Sequence, residues 1–424
     1  MVRNRQQRHS GLRPWRHRLV AVVNGSLAVL AGLISICMPS VSHGVAQDAK
    51  VTTISIVYAS QERERLAPLS LLDFRPPSEG YDGAKLAIED NNTTGRFLNQ
   101  SFAMGDMLSA KRDELIEKVV AAAKSGTSFF VVDATADTLV ALSDALNGLP
   151  AVIFNAGAHD ERLREEDCRA NVKHTAASYA MLADAMTQYL TWKQWTRLVL
   201  VSGPQPEDKL FAEALKRSAK RFGLKLLAEQ EFVYEAGSRR ADGGFEQVQK
   251  QIPTFTQEFP EHDVLLVSDV ANQFGDYFPF RTWKPRAIAG THGLYPTAWH
   301  PASELWGATQ FQNRFQRLAG RVMKPVDYAA WMAVRSIGEA ATRTNSGDPK
   351  VLIDYMLSPK FELAAFKGQK LTYRPWNAQL RQPIFVATPK IHVTVSPQPG
   401  FLHQVSVLDT LGLDEPETKC KAFR

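Results

Sequence analysis

Residues 128–157 read "SFFVVDATADTLVALSDALNGLPAVIFNAG". Two apolar runs, "SFFVVDA" (128–134) and "PAVIFNA" (150–156), are short and bounded by turn residues, as strands covered on both faces are. Between them "TLVALSDALNG" carries a helical pattern. Strand, helix and strand in this order predict parallel strands joined by a covering helix, the unit of an α/β fold.

The same alternation extends both ways. Upstream, "VTTISIVYA" (51–59) is strand-like and leads into a loop over 60–80. "GAKLAIEDNN" (83–92) then opens a helix. "DELIEKVVAAAKSG" (113–126) puts Leu115, Val119, Val120 and Ala123 on one helical face, with Gly126 placed to end it. Downstream of Cys168 the series restarts with a helix, "YAMLADAMTQYL" (179–190), and continues as "RLVLVSG" (197–203), "DKLFAEALKRSAKRFG" (208–223), "LKLLAEQEF" (224–232), "HDVLLVSD" (262–269) and "RAIAGTHG" (286–293). Two such series predict two similar lobes, each a parallel sheet flanked by helices, with a ligand cleft between them. From Leu305 the pattern turns helical, with stripes Phe311, Phe315, Leu318, Val322 and Ala330, Val334, Ile337, Ala341 that read as core-facing. The end, 361–424, is rich in prolines and short strands. There is no low-complexity segment and no short-period repeat.

The N-terminus sets the compartment. Arg3, Arg5, Arg8, Arg13, Arg16 and Arg18 form a basic region without acids; an apolar stretch runs from Leu19 to about Met38; Gly44 and Ala46 sit where a signal peptidase needs small residues. This layout predicts a secretory signal peptide over 1–46, cleaved near Ala46. The alternatives are an uncleaved anchor, although Asn24, Gly25, Ser26 and Ser35 interrupt the apolar run, and a lipoprotein, although Ile36 precedes Cys37 where a small residue is needed. The chain has 50 basic and 44 acidic residues. The leader holds six of the basic ones, so the remainder of the chain is balanced. A near-neutral chain of about 378 residues gives no support to a nucleic-acid or anionic-membrane partner, and "RTWKPR" (281–286) is too short to reverse that. The length calls for two domains, and no later segment reaches membrane-spanning length.

Catalytic signals are weak. No G-x-S-x-G elbow, phosphate-binding loop or H-E-x-x-H motif is present. Asp133 and Asp137 in "VVDATADT" read as caps, and His300 with Glu304 in "HPASE" reads as a surface pair rather than half a zinc site. A hard cation would want several converging oxygens. The dense acidic runs, 160–167 and 414–417, read as solvated surface. Trp283, Trp299, Trp306, Trp331 and Trp376 offer stacking faces, though core packing accounts for most tryptophans. No catalytic residue, metal ligand or cofactor is therefore assigned, and an enzyme is the weakest of the readings.

An exported chain with "GAKLAIEDNN" on its first helix and a late helical "FQNRFQRLAG…DYAAWMAVRSIGEAATRTNSGDP" resembles the type I periplasmic binding proteins of ABC transporters, especially the branched-chain amino acid binding group. "AIEDNNTTGRF" (87–97), "NAGAHDERLREEDCRAN", "TWKQW", "GLYPTAWH", "ELAAFKGQKLTYRPWNAQLRQPI" and "SPQPGFLHQVSVLDTLGLDEPE" look like the subgroup associated with pyrroloquinoline quinone (PQQ)-dependent alcohol dehydrogenase systems. The resemblance implies a periplasmic component that serves an ABC transporter permease, with a PQQ-dependent dehydrogenase as a further partner. An accessory protein of the dehydrogenase, or of calcium or lanthanide supply, is the alternative. Lobe 1 is expected to comprise 50–172 plus 300–345, and lobe 2 to comprise 173–299 plus 346–424.

Ligands of open α/β sheets bind beyond the carboxyl ends of the strands. Those positions here are Ser60, Gln61, Asp133, Thr135, Asn155, Gly157, Ser202, Asp269, Thr291 and His292, mostly neutral hydrogen-bonding groups suited to a small polar solute. The serine–threonine loop by which amino acid binding proteins hold their ligand is not clear in "VVDATADT" or "FNAGAHD", so the expected solute is not an amino acid. The loop 60–80 is placed to cover the cleft. With Cys37 in the leader, Cys168 and Cys420 remain. In an oxidising compartment they are a candidate disulfide; two free thiols are the alternative. The flanking acids make a nucleophilic Cys168 unattractive, so "HDERLREEDCRAN" reads as a solvated, charged connector pinned by a staple.

Overall fold

The structure, a computed structural model, describes residues 51–64, 66, 75–233 and 244–423, with the backbone alone at 244–247. The leader expected over 1–46, with Cys37, lies outside the described residues, as do residues 65 and 67–74 of the loop expected to cover the cleft. Among the described residues no helix is long and apolar enough to cross a membrane.

The stretch 128–157 forms β3 (Phe129–Asp133), a helix and β4 (Val152–Asn155). Together with β1 (Thr52–Gln61), β2 (Gln100–Ser109) and β5 (Val172–His174) they build a five-stranded parallel sheet in the order β2-β1-β3-β4-β5. Every residue of β3 is buried, and side chains alternate between faces along a strand. Phe129 and Val131 join one core with Ile54, Ile56 and Tyr58, while Phe130 and Val132 join another with Leu115, Val119, Leu139 and Leu142. A strand that is apolar on both faces therefore needs helices on both. They are α1 (Tyr81–Gly95) on one side and α2 (Arg112–Lys124) and α3 (Ala136–Ala145) on the other. Thr135 caps α3, its hydroxyl accepting from the Thr138 amide at 3.3 Å.

The second lobe repeats the logic. It opens with α4 (Tyr179–Trp192), then β6 (Arg197–Ser202), α5 (Pro206–Arg221), β7 (Lys225–Glu231), α6 (Gly244–Thr256), β8 (Val264–Ser268), α7 (Phe278–Arg281) and β9 (Ala287–Gly290). The strands are parallel in the order β7-β6-β8-β9. Leu198 and Leu200 face α4 and α5; Val199 and Val201 face a cluster with Val248, Ile252 and Phe274.

After β10 (Tyr295–Thr297) the chain returns to the first sheet as α8 (Ala308–Ala319), α9 (Pro325–Thr344) and α10 (Pro349–Met356). Helices α1 and α9 pack so closely that a Cβ on Gly83 would lie 1.9 Å from the Asp327 carbonyl oxygen. Ala330, Val334, Ile337 and Ala341 are all buried as their spacing predicts. Val322 is not: α8 ends at Gly320, whose φ of 70° is left-handed, and Val322 lies exposed beyond the stop. A hairpin, β11 (Leu363–Ala364) and β12 (Lys370–Leu371), precedes β13 (Ile384–Ala387) and β14 (His392–Ser396), which join β10 in an antiparallel sheet against α4.

The passages between lobes are stitched to one another. The His174 amide donates to Ala378 (3.0 Å), and the Leu380 amide returns a bond to His174 (2.8 Å). Arg164 ties them further, donating to the Gln379 side chain and to the carbonyls of Ala158, Asp160 and Ala176. Burial pushes its pKa down to about 10, so it stays charged at neutral pH.

The expected disulfide is present between Cys168 and Cys420, 252 residues apart in sequence. The solvated connector is not. Glu161–Arg164 is a 3-10 turn that turns Leu163, Arg164 and Glu165 inward. Glu165 accepts from the Lys419 amide (2.8 Å) and the Thr418 hydroxyl (3.3 Å), so part of the acidic run anchors the C-terminal tail. His300 is likewise buried rather than paired at the surface, its Nδ1 accepting from the Ala302 amide.

Candidate ligand cleft

Parallel strands bring their carboxyl ends to one edge of each sheet, so the positions singled out by sequence gather in two groups. In the first lobe Ser60 and Asp133 are partners in register on β1 and β3. Gln61 turns its side-chain oxygen to the Thr135 amide and hydroxyl, both at 3.3 Å. Asp133 does not cap α3. It accepts from Arg63 at 2.8 Å and from Arg75 at 2.5 Å, and Arg75 also pairs with Glu79 at 2.9 Å. Gly157 is needed beside it, because a Cβ there would fall 2.0 Å from the Asp133 carboxylate. Asn155 is buried and fully used: it accepts from the Gly157 and Ala158 amides, donates to the Ala158 carbonyl, and lies with its side-chain nitrogen 3.1 Å from His174 Nδ1. Most of these groups thus satisfy one another, as buried polar groups must.

In the second lobe Ser202 ends β6, buried, its carbonyl accepting from the Phe232 amide. The Asp269 carboxylate accepts from the amides of Gln273, Phe274 and Gly275 at 2.7–2.8 Å. That makes it the organiser of its loop. Beside it burial raises Asp208 to about 6, with the Asp269 charge adding to the effect. Thr291 accepts from the Asp269 amide and donates to the Val267 carbonyl. His292 lies with Nε2 3.0 Å from the Asn272 side-chain oxygen and Nδ1 2.9 Å from the Thr291 hydroxyl.

A cavity of about 540 Å³ opens at this edge and takes its wall from both lobes. Of the ten positions chosen from sequence, Asp269, Thr291 and His292 line it; the first-lobe six and Ser202 do not. The first lobe contributes His159, from the β4–β5 connection, and Lys324, just before α9. Tyr179 and Phe211, at the starts of α4 and α5, form an aromatic wall with His159: ring centroids lie 5.4 Å apart for His159–Tyr179 and 5.7 Å for Tyr179–Phe211. His159 holds its Nδ1 proton on the Ala177 carbonyl (2.6 Å). Burial lowers its pKa, against that hydrogen bond, so the ring is neutral. Burial, followed by the Asp160 charge, raises the Tyr179 phenol above its ordinary value, so it is a hydroxyl donor. A second depression of about 670 Å³, by Glu231, Phe232 and Lys250, gathers groups from one lobe only.

Tyr179, Lys324, His159 and Phe211 line the cavity without standing at strand ends, so the strand-end rule does not reach them. The signals were there: Ser178 is a helix N-cap and Lys324 precedes "PVD", so both neighbours stand at helix starts pointing to the same edge. The tryptophans lie elsewhere. Trp299 and Trp331 are core, Trp283 and Trp306 are exposed, and Trp376 is buried against Arg374 and Arg381. Among the described residues no group of three His, Cys, Asp or Glu is placed to hold a metal ion.

No protein-family model and no curated protein matches the chain. Solved structures do. A branched-chain amino acid ABC transporter periplasmic ligand-binding protein from Burkholderia xenovorans superposes with a TM-score of 0.63 at 14% identity, over 81% of this chain and 95% of its own. An ABC transporter substrate-binding protein from Desulfitobacterium hafniense, in complex with Leu, gives 0.61 at 13% identity, over 80% and 99%. An ABC transporter solute-binding protein from R. palustris, in complex with benzoate, gives 0.58 at 9% identity, over 87% and 99%. The fold is that of two-lobed periplasmic binding proteins, and these neighbours are solute-binding proteins rather than enzymes.

Proposed function

We propose that the chain is an exported binding protein that captures a small solute between its two lobes and presents it to the permease of an ABC transporter, without chemistry on the solute. The observation that carries this reading is the cavity walled by His159 and Lys324 from one lobe and by Tyr179, Thr291 and His292 from the other. Hinge closure over a ligand in such a place excludes water and changes the shape that a permease meets. Residence in the periplasm after cleavage near Ala46, and service to a PQQ-dependent alcohol dehydrogenase system, belong to the same proposal and rest on the sequence resemblance. The lobe division proposed keeps 50–172 and 300–345 together. The shared core of Leu352, Met356, Phe361 and Leu371 argues for adding 346–373 to that lobe.

The test is mass spectrometry of small molecules released from protein purified from its own periplasm, followed by titration of whatever is found. A stoichiometric solute that raises the melting temperature and contracts the particle in small-angle scattering supports capture; at about 100 times its dissociation constant it adds about 2.7 kcal/mol. No released solute, no shift across a solute library and co-purification of a dehydrogenase subunit would instead make the chain an accessory protein.

A further inference from the structure

The charges around the cleft narrow the solute. An α-amino acid, or any amine, needs a free carboxylate to meet its ammonium group. Asp133 is engaged by Arg63 and Arg75 together, and Asp269 by three main-chain amides of its own loop. Asp276 also lines the cavity, but its side chain is 53% exposed and faces His292 at 3.7 Å, so it sits at the wet rim. Of the two acids that line the cavity, Asp276 lies at the rim and Asp269 has its oxygens turned to the amides of its own loop.

The donors are left over instead. Lys324 lines the cavity, and its ammonium has no carboxylate within 4.0 Å among the described residues, although Glu79 lies within electrostatic range. The Tyr179 hydroxyl makes no hydrogen bond among the described residues, and His159 keeps Nε2 unpartnered there while Nδ1 is engaged. Arg63, which pairs with Asp133 outside the cavity lining, acts electrostatically on both His159 and Tyr179. Between these donors the wall is aromatic, from His159, Tyr179 and Phe211.

We infer that the cleft takes a small organic carboxylate with a flat or otherwise apolar body and no ammonium group, the carboxylate meeting Lys324 and Tyr179 and the body lying on the aromatic wall. The inference rests on the capture reading above and deepens it. It runs against the α-amino acids that a branched-chain amino acid binding fold suggests. Such a cleft combines a preformed apolar site carrying a few placed polar groups with a charge-assisted bond to an anion.

Calorimetric titration of the purified, disulfide-bonded protein with matched pairs tests it. The probes are 3-phenylpropanoate against L-phenylalanine, 4-methylpentanoate against L-leucine, and benzoate against benzamide. The expected result is that at least one carboxylate binds at least tenfold tighter than its ammonium-bearing or neutral partner. Lys324→Met should then weaken that carboxylate at least tenfold and leave the melting temperature of the unliganded protein unchanged, with Lys324→Arg restoring part of the affinity. Tighter binding of the amino acids or of benzamide would overturn the assignment of class while leaving capture intact. No binding by any of the six would also overturn the assignment of class, while capture itself is decided by the solute released from the purified protein. Carboxylate binding insensitive to Lys324→Met would overturn the placement of the anion.

Discussion

Replacing both half-cystines, Cys168→Ala with Cys420→Ala, isolates what the cross-link contributes. The bond joins residues 252 apart, closing a loop that runs from the connection between β4 and β5 to the C-terminal tail. A cross-link acts chiefly by shrinking the unfolded ensemble, and a loop of that length corresponds to about 5 kcal/mol in the chain-entropy account, with about 2–4 kcal/mol the usual finding. The native tail does not depend on the bond alone. Lys419 still donates to Glu165 at 2.8 Å, Thr418 still reaches the same carboxylate, and the Lys173 ammonium lies 4.9 Å from the Phe423 ring. The double variant should therefore keep its fold and its solute affinity while losing about 2–5 kcal/mol in urea unfolding. Its denaturant slope should rise, because an uncrosslinked unfolded chain exposes more surface. Oxidised and reduced wild type should bracket the variant. A loss below about 1 kcal/mol, against the loop-entropy expectation, or an equal loss with a disordered tail in hydrogen exchange, would refute an effect exerted through the unfolded state.

Three further outcomes follow from buried charge and from the cleft. Asp409 accepts from Arg374 at 2.9 Å and Arg381 at 2.8 Å, all three buried; Asp409→Asn should cost about 3–5 kcal/mol in chemical denaturation, because it leaves two interior guanidiniums uncompensated. Burial lowers Lys173 to about 7, whereas the unfolded chain keeps that proton to about 10.4. Between those values the unfolded state binds more protons, so stability rises with pH. Lys173→Met should accordingly stabilise the protein by a few kcal/mol at pH 6, at about 1.4 kcal/mol for each pH unit that separates the two values. That gain should fade by pH 10, and a gain that does not vary with pH would contradict this. Tyr179→Phe should leave unfolding within about 0.5 kcal/mol of wild type, since the hydroxyl has no partner among the described residues, yet weaken solute binding about tenfold for a lost hydrogen bond; equal losses in both would make it a structural tyrosine.

The fold was legible where one physical cause dominates. "SFFVVDA" and "RLVLVSG" alternate between two covered faces, and only a parallel sheet between helix layers buries both sides of such a run. Val322 was misread because hydrophobic spacing ignores a left-handed stop at Gly320 two residues earlier. The run 160–167 was misread because charge was taken for exposure. Arg164 and Glu165 go inside once Gln379, Ala176 and Lys419 supply their partners, two of them more than 200 residues away in sequence. The cleft follows the same pattern. Strand ends pointed to the edge where the cavity opens, but nothing local shows that Arg63 and Arg75 would engage Asp133, or that Lys324, distant in sequence from Tyr179, would share its cavity. Such pairings are set by topology.

The central claim is that a solute is held between the lobes at the carboxyl ends of their strands. A crystal structure of the protein with the solute recovered from it tests this most directly. The account predicts density enclosed between His159 and Lys324 on one side and Tyr179, Thr291 and His292 on the other, with the lobes closed upon it. Density seated elsewhere, or an unchanged empty cleft at a saturating concentration of that solute, would contradict it.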